Sequence, residues 1–137
     1  MSYVGGKATR AGPILELLNN PKFNDMDYLE PFVGYAHILR RVERKRKYIA
    51  FDNNPLLVVL LKGIKAGKRF PRIHKQTYER LRYQVHDLSY RRAVAAFAYS
   101  YKGIEWGGYF NECGACRNRW YAEEHERYYK TLRQNDV

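Results

Sequence analysis

Residues 29–36 have the sequence LEPFVGYA, and this stretch decides the fold. The pattern predicts a strand over 26–33, a turn at Gly34 and a helix over 35–44. A glycine where a strand turns into a helix lets the backbone approach a ligand closely, and the first helical turn offers free N–H groups. The stretch therefore predicts a βα unit whose turn can hold a ligand.

A second strand is predicted over 47–52, and it ends in an acid, Asp52. Asn54 and Pro55 then begin a helix that runs to Gly67, since proline is favoured at a first helical position. Strand, helix, strand and helix in this order indicate a parallel sheet with a right-handed crossover. A carboxylate at the tip of the second strand, about twenty residues after the turn, can accept hydrogen bonds from ribose hydroxyls. The alternative is that both features only serve βα packing.

The rest of the chain is predicted to be mainly helical. A helix over 8–19 precedes the first strand, and further helices are predicted over 78–85, 89–101 and 122–133. The glycine- and aromatic-rich stretch 103–121 is predicted to be a loop or hairpin. We expect an α/β fold with a cofactor-binding part over 1–70 and a helical recognition segment over 71–137. Only two core strands are evident, and a two-stranded parallel sheet is not stable by itself.

Composition bounds the function. The chain has 137 residues, 45% of them hydrophobic and 15% aromatic, which excludes intrinsic disorder. No apolar run approaches the roughly 18 residues that a membrane span needs. Two cysteines favour a reducing, cytoplasmic setting over a disulfide framework. The net charge of +11 predicts a polyanionic partner, meaning nucleic acid, with solubility alone as the alternative.

Three motifs together are more specific than any one of them: YVGGK at 3–7, EPFVGYA at 30–36 and FDNN at 51–54. In order and spacing they resemble the Dam-type family of S-adenosylmethionine-dependent DNA adenine-N6 methyltransferases. The resemblance implies a partial Rossmann-like methyltransferase fold, S-adenosylmethionine as cofactor and duplex DNA as substrate. It implies that the cofactor is bound by Tyr3, Gly5, Gly6, Lys7, Glu30, Phe32, Gly34 and Asp52. In this assignment Asp52 holds the ribose, Glu30, Phe32 and Gly34 form the floor, and Lys7 lies near the methionine or adenosine end.

The stretch that runs from 92 to 111 resembles the target-recognition region of the same family. Candidate DNA contacts here and just beyond are Arg91, Lys102, Trp106, Tyr109, Asn111, Arg117, Asn118 and Arg119. Arginine can read guanine and asparagine can read adenine, while an aromatic ring can stack on a flipped base or fill its gap. The alternative is that the aromatic residues form a small core. The basic runs at 40–47 and 62–75 fit phosphate contacts, but also ordinary helix-end charges.

Two departures from the family pattern bear on activity. Ala36 stands where the family has a second glycine, and the Asp-Pro-Pro-Tyr tetrad does not occur in the 137 residues. The resemblance implies that this tetrad binds the adenine amine and stacks on the flipped base. We therefore predict that the isolated chain binds its ligands without catalysing methyl transfer. A second chain that carries the tetrad is one interpretation. A degenerate gene product and a truncated chain are the other interpretations.

Two further functions stay open at this point: a non-catalytic, basic DNA-binding module and an RNA-associated protein. Cys113 and Cys116 have the spacing of half a zinc site, but a closed site needs four ligands and only His125 lies nearby. We therefore predict no metal, with a zinc site shared by two chains as the alternative.

Overall fold

The computed structural model describes residues 7–110, and the structural statements below concern that part of the chain. It contains two strands, β1 (Asp27–Glu30) and β2 (Lys47–Ala50). The α-helices are α1 (Ala11–Leu18), α2 (Pro55–Lys65), α3 (Lys75–Tyr83) and α4 (Tyr90–Ala98). Short 3-10 helices lie at Ala8–Arg10, Pro21–Phe23, Leu39–Arg41 and Tyr101–Gly103.

The two strands pair in parallel, in the register Asp27 with Lys47 through Glu30 with Ala50. The predicted parallel pairing is therefore confirmed, and the described part of the chain has a partial α/β fold. One face of β1 is buried, whereas Leu29 on the other face keeps 57% of its surface exposed. Because the strands are parallel, their carboxyl ends meet at one edge, which brings the segments after Glu30 and after Ala50 together.

Local sequence explains where two of the helices begin. The Asn54 side chain accepts the N–H groups of Leu56 and Leu57, and Pro55 occupies the first turn of α2. The Ser89 side chain caps α4 in the same way by accepting the Arg92 N–H. Capping side chains at both sites satisfy N–H groups that the helices themselves leave without partners.

The helices pack around a single apolar core. Helix α4 packs on both α2 and α3, and its Phe97 is fully buried. A Cβ atom at Gly63 would overlap the ring of Tyr90, so glycine lets α4 approach α2 closely. The core cluster contains residues from both sides of position 70. The division of the chain into 1–70 and 71–137 stays a prediction.

The helix predicted over 35–44 is wrong. The chain there forms consecutive turns and the short 3-10 helix Leu39–Arg41. The physical reason is that Ala36 has a left-handed φ of +55°, which a right-handed helix does not accommodate. In addition, Glu30 Oε2 accepts the Leu39 N–H at 3.1 Å, and a helix would have used that N–H group itself.

The other boundaries differ by a few residues. The two strands are shorter than predicted, α3 lies at 75–83 instead of 78–85, and α4 ends at Ala98. Within the described residues, the predicted hairpin over 103–121 shows one antiparallel bridge, between Ser100 and Tyr109. The remainder of that hairpin and the helix predicted over 122–133 lie outside the described residues.

Ala36 adopts a left-handed backbone conformation with φ at +55° and is fully buried. We expect Ala36→Gly to change the free energy of unfolding by less than about 1 kcal/mol. Relief of backbone strain, about 1–2 kcal/mol, offsets the lost methyl burial and the added chain entropy, each about 1 kcal/mol.

Ala95→Gly is the matched control, since Ala95 is equally buried but lies within α4. No strain is relieved there, so we expect a loss of about 2 kcal/mol. Urea unfolding of both variants checks the difference, and equal losses would contradict a strained Ala36.

Candidate functional site

The turn after β1 lies against the segment that follows β2. The Phe51 N–H donates to the Glu30 carbonyl, and the Val33 N–H donates to the Phe51 carbonyl, both at 2.9 Å. The two segments thus stay hydrogen-bonded beyond the end of the sheet. Gly34 then takes a left-handed conformation with φ at +51°, which glycine adopts without a steric cost. The predicted Gly34 turn therefore lies at the carboxyl edge of the sheet.

Asp52 connects the two segments of this edge. Its Oδ2 accepts the Gly34 N–H at 2.9 Å, and its Oδ1 accepts the Asn54 N–H at 3.0 Å. A carboxylate has about four lone-pair sites, so each oxygen retains capacity for a further donor. The side chain is half-buried and therefore reachable from solvent. This geometry can accept two hydroxyl groups without breaking the bonds that hold the turn.

Glu30 and Lys7 form an ion pair beneath the same turn. Lys7 Nζ lies 3.2 Å from Glu30 Oε1, and it also donates to the Phe32 carbonyl oxygen. Glu30 keeps only 6% of its surface exposed, and its Oε2 accepts both the Leu39 N–H and the Tyr28 hydroxyl. Burial, followed by the Glu30 charge and this hydrogen bond, raises the pKa of Tyr28. The ion pair and these hydrogen bonds therefore hold the turn in position.

Two phenylalanines stand exposed at the same edge. Phe32 keeps 68% of its surface accessible and Phe51 keeps 56%. Phe32 was predicted, whereas Phe51 was missed because an apolar residue at the end of a strand has the same pattern as a core residue. Large exposed aromatic rings beside a carboxylate favour a ligand that has both a flat ring and hydroxyl groups.

A groove of about 390 Å³ runs along β2 toward Asp52. Apolar side chains of β2 and α2 form most of its lining, among them Ile49, Val58 and Leu61. Lys47 and Lys65 also line it. Because Asp52 and Phe51 belong to this lining as well, the exposed aromatic edge and the groove are continuous.

The described part of the recognition segment is packed on the helices. The ring of Tyr78 lies 5.3 Å from that of Trp106 and 5.4 Å from that of Tyr109. Tyr109 also stacks on Tyr99 and donates its hydroxyl to the Ile73 carbonyl at 3.1 Å. The partly buried Trp106 and Tyr109 thus join a small aromatic core, the alternative that the sequence left open.

Charged residues around this core divide into exposed and buried ones. Arg91 and Lys102 are exposed, as a DNA contact requires. The adjacent Arg92 is buried, and its guanidinium donates to the carbonyls of Leu81 and Asp87. The packing of α4 on α3 decides which of the two neighbours points inward, and it leaves the predicted contact Arg91 exposed.

The basic run at 40–47 lies mostly at the opposite edge of the sheet. Lys45 donates to the carbonyls of Leu18 and Phe23, at 2.8 and 2.7 Å, so its role is structural. Arg46 pairs with Asp27 at 2.8 Å and lowers the pKa of that carboxyl group, mainly through their hydrogen bond. Both Lys45 and Arg46 precede β2 and so lie at the amino edge of the sheet, away from Asp52. Of this run, Lys47 at the start of β2 lines the groove, whereas Lys45 and Arg46 do not.

Several predicted residues lie outside the described part of the chain. They are Tyr3, Gly5 and Gly6 of the first motif, the candidate DNA contacts Asn111, Arg117, Asn118 and Arg119, and the pair Cys113 and Cys116. Within residues 7–110 no three His, Cys, Asp or Glu side chains are grouped as a metal site would require. None of the helices described there is both long and apolar enough to cross a membrane.

Comparison with known families agrees with the geometry of the turn. The sequence matches the family model of D12 class N6 adenine-specific DNA methyltransferases over residues 3–103, well over half of the chain. The chain belongs to this family. The match covers the first motif, both strands, the Gly34 turn, Asp52 and α2 to α4. No curated protein and no solved structure gives a significant match.

Membership supports a DNA adenine-N6 methyltransferase type of function and duplex DNA as the substrate of the family. It agrees with the resemblance inferred from the three motifs. Glu105 and Arg92 are additional residues that the structure singles out. Asn54 was predicted only as the beginning of α2, and its bond to Glu105 is new.

Proposed function

We propose that this chain provides the S-adenosylmethionine site and part of the DNA-recognition surface of a site-specific DNA adenine-N6 methyltransferase. One observation carries the proposal: the Asp52 carboxylate bridges the Gly34 and Asn54 N–H groups at the carboxyl edge of a parallel pair. Both of its oxygens retain lone pairs for the two hydroxyls of a ribose. A nucleoside-bearing cofactor fits this hydrogen-bond acceptor better than a simple anion does, because the carboxylate would repel an anion.

Each of the other residues has a distinct task in this proposal. Phe32 and Phe51 cover the flat and apolar parts of the cofactor, and Glu30 with Lys7 holds the turn in place. When bound, S-adenosylmethionine supplies an electrophilic methyl group on its sulfonium sulfur. Tyr3, Gly5 and Gly6 lie outside the described residues, and we assign them to the same site from the sequence motif. The chain's contribution is thus binding and orientation.

DNA is proposed to lie on the segment that follows α4. Arg91 on α4 and Lys102 after it are assigned to phosphate contacts, since both side chains are exposed. Base contacts are assigned to Asn111, Arg117, Asn118 and Arg119. Trp106 and Tyr109 are assigned to holding the segment in place, because both rings pack on Tyr78.

The Asp-Pro-Pro-Tyr tetrad is proposed to come from polypeptide outside these 137 residues. The two-stranded sheet supports this assignment, because within the described residues neither strand has a second neighbour. A parallel sheet is normally covered on both faces, yet Leu29 remains exposed. Added strands would extend the sheet at its edges, and the helices that connect them would cover this face.

The isolated 137-residue chain is expected to transfer no methyl group to DNA. The test is incorporation of labelled methyl groups from S-adenosylmethionine into adenine-containing duplexes, with binding of both ligands measured on the same sample. Binding without transfer is the expected result, since the chain contains no tetrad to hold the target amine. Robust turnover would contradict the assignment of the catalytic tetrad to polypeptide outside these residues.

A non-catalytic DNA-binding module is the second candidate function, favoured by the net charge of +11 and the absence of the tetrad. Calorimetry separates the two. Heat of S-adenosylmethionine binding supports the methyltransferase proposal, whereas DNA binding with no cofactor binding supports the module. Competition between duplex DNA and RNA at several salt concentrations tests the RNA alternative.

A further inference from the structure

The segment after α4, residues 99–110, contacts the candidate cofactor site through a long-range hydrogen bond. The Asn54 Nδ2 group donates to Glu105 Oε2 at 2.6 Å. An ionised carboxylate only accepts hydrogen bonds, so Glu105 determines which end of the Asn54 amide faces it. The amide oxygen is thereby directed at α2, where it accepts the Leu56 and Leu57 N–H groups at 3.1 and 3.3 Å.

Asn54 is also bonded to the carboxylate that we assign to the cofactor. Its N–H donates to Asp52 Oδ1 at 3.0 Å, while Asp52 Oδ2 accepts the Gly34 N–H. Glu105, Asn54, Asp52 and Gly34 therefore form one continuous chain of hydrogen bonds. Glu105 also places a negative charge at the N-terminus of α2, whose own first turn contains no acidic residue.

A second contact joins the same two regions. The Tyr35 hydroxyl donates to the Gly103 carbonyl at 2.8 Å, and both residues are buried. Tyr35 directly follows Gly34, and Gly103 lies two residues before Glu105. The segment is thus fixed to the cofactor turn at two points, which makes the position of each region depend on the other.

We propose that Glu105 is a positioning residue for Asp52, through which the segment after α4 sets the affinity of the cofactor site. The inference rests on the proposed function, because it takes S-adenosylmethionine as the ligand of Asp52 and DNA as the ligand of the segment. A carboxylate that is already held in its binding position loses less entropy when the ligand arrives. A ligand that moves Glu105 must therefore change cofactor affinity, and by linkage the cofactor changes DNA affinity by the same factor.

The first test is calorimetric titration of S-adenosylmethionine into the full 137-residue chain, at a temperature where every variant is folded. We expect Glu105→Ala to weaken binding about 5- to 10-fold. This is less than the effect of losing one charge-assisted hydrogen bond to the ligand, because the bond to Asn54 only positions Asp52. Glu105→Gln still offers an amide oxygen to Asn54, so it should stay within about twofold of the wild type. Glu43→Ala, an exposed acid at the amino edge of the sheet, is the control and should leave affinity unchanged.

The sharper test exchanges donor and acceptor. Asn54→Asp retains a good cap for α2 but sets two carboxylates against each other, so we expect binding to weaken about 10-fold. Adding Glu105→Gln restores a hydrogen bond of reversed direction and should return affinity to within about threefold of the wild type. Since all variants are compared in the folded state, such recovery reports on the position of Asp52. Failure of the double variant to recover would overturn the inference.

Repeating the titrations with saturating duplex DNA tests the coupling. We expect DNA to shift wild-type cofactor affinity at least about fivefold, and to shift that of Glu105→Ala less than twofold. Cofactor binding that is insensitive to both DNA and Glu105→Ala would overturn this inference and leave the proposed function intact. Absence of S-adenosylmethionine binding by the wild-type chain would contradict the proposed function, and the inference with it.

Discussion

Asp52→Ala is expected to abolish measurable binding of S-adenosylmethionine by the 137-residue chain. The variant loses the acceptor of two ribose hydroxyls, and each hydrogen bond to a charged group is worth about 1.5–3 kcal/mol. The combined loss corresponds to a decrease in affinity of at least about 100-fold. Isothermal titration calorimetry measures this directly as the disappearance of the binding heat.

The variant also loses bonds that hold the turn. The Gly34 and Asn54 N–H groups no longer have the Asp52 acceptor, which we expect to cost about 1–3 kcal/mol of stability. Urea unfolding must therefore accompany the titration, so that binding is measured on folded protein. Retained S-adenosylmethionine binding in folded Asp52→Ala would remove the central observation from the proposed function.

Asp27→Ala is the matched control. Asp27 is also an acid of the parallel pair, but it lies at the amino end of β1 and pairs with the exposed Arg46. It is remote from the Gly34 turn, so we expect unchanged cofactor affinity. If both variants lost the binding heat, the sheet as a whole and not Asp52 would be responsible.

Arg92→Met is expected to destabilise the fold by about 2–4 kcal/mol. Arg92 keeps only 4% of its surface exposed. Its guanidinium donates to the carbonyls of Leu81, Arg82 and Asp87 at 2.8, 3.5 and 3.2 Å. It also lies 5.1 Å from the ring centre of Trp106. Methionine keeps the apolar volume but removes these charge-assisted bonds at the C-terminus of α3 and the cation–π contact.

Arg91→Met is the neighbouring control, because Arg91 carries the same charge on the exposed side of α4. Its effect on stability is expected to stay within about 0.5 kcal/mol. Arg91→Met is expected to reduce DNA affinity more than Arg92→Met does, and to make the salt dependence of binding shallower. Denaturant unfolding and DNA titration of both variants check this exchange of roles, and equal destabilisation by the two substitutions would contradict it.

The features that follow from short-range chemistry could be predicted. Asn54 begins α2 and Ser89 begins α4, because a capping side chain needs only the residues next to it. The parallel pairing of β1 and β2 and the place of Asp52 at their edge follow from the order of the elements. The family membership of the chain rests on motifs of the same local kind.

The features that the sequence missed or left open depend on the tertiary structure. The residues over 35–44 have a helical pattern, but Ala36 is left-handed and Glu30 takes the Leu39 N–H, and no local signal shows this. Trp106 and Tyr109 have the composition of a nucleic-acid surface, yet both rings pack against Tyr78. A short pattern does not distinguish an exposed aromatic ring from a buried one.

The sequence by itself determined the class of this protein: the glycine turn, the acid-tipped second strand and the basic charge each express their chemistry locally. Only the tertiary structure decided how those parts act together. It placed Arg92 inside and Arg91 outside, left Phe51 exposed beside Asp52, and joined Glu105 to Asn54 across 51 positions of the chain. The physical reason is that burial and long-range hydrogen bonds depend on which elements pack together, and residue spacing along the chain does not specify that packing.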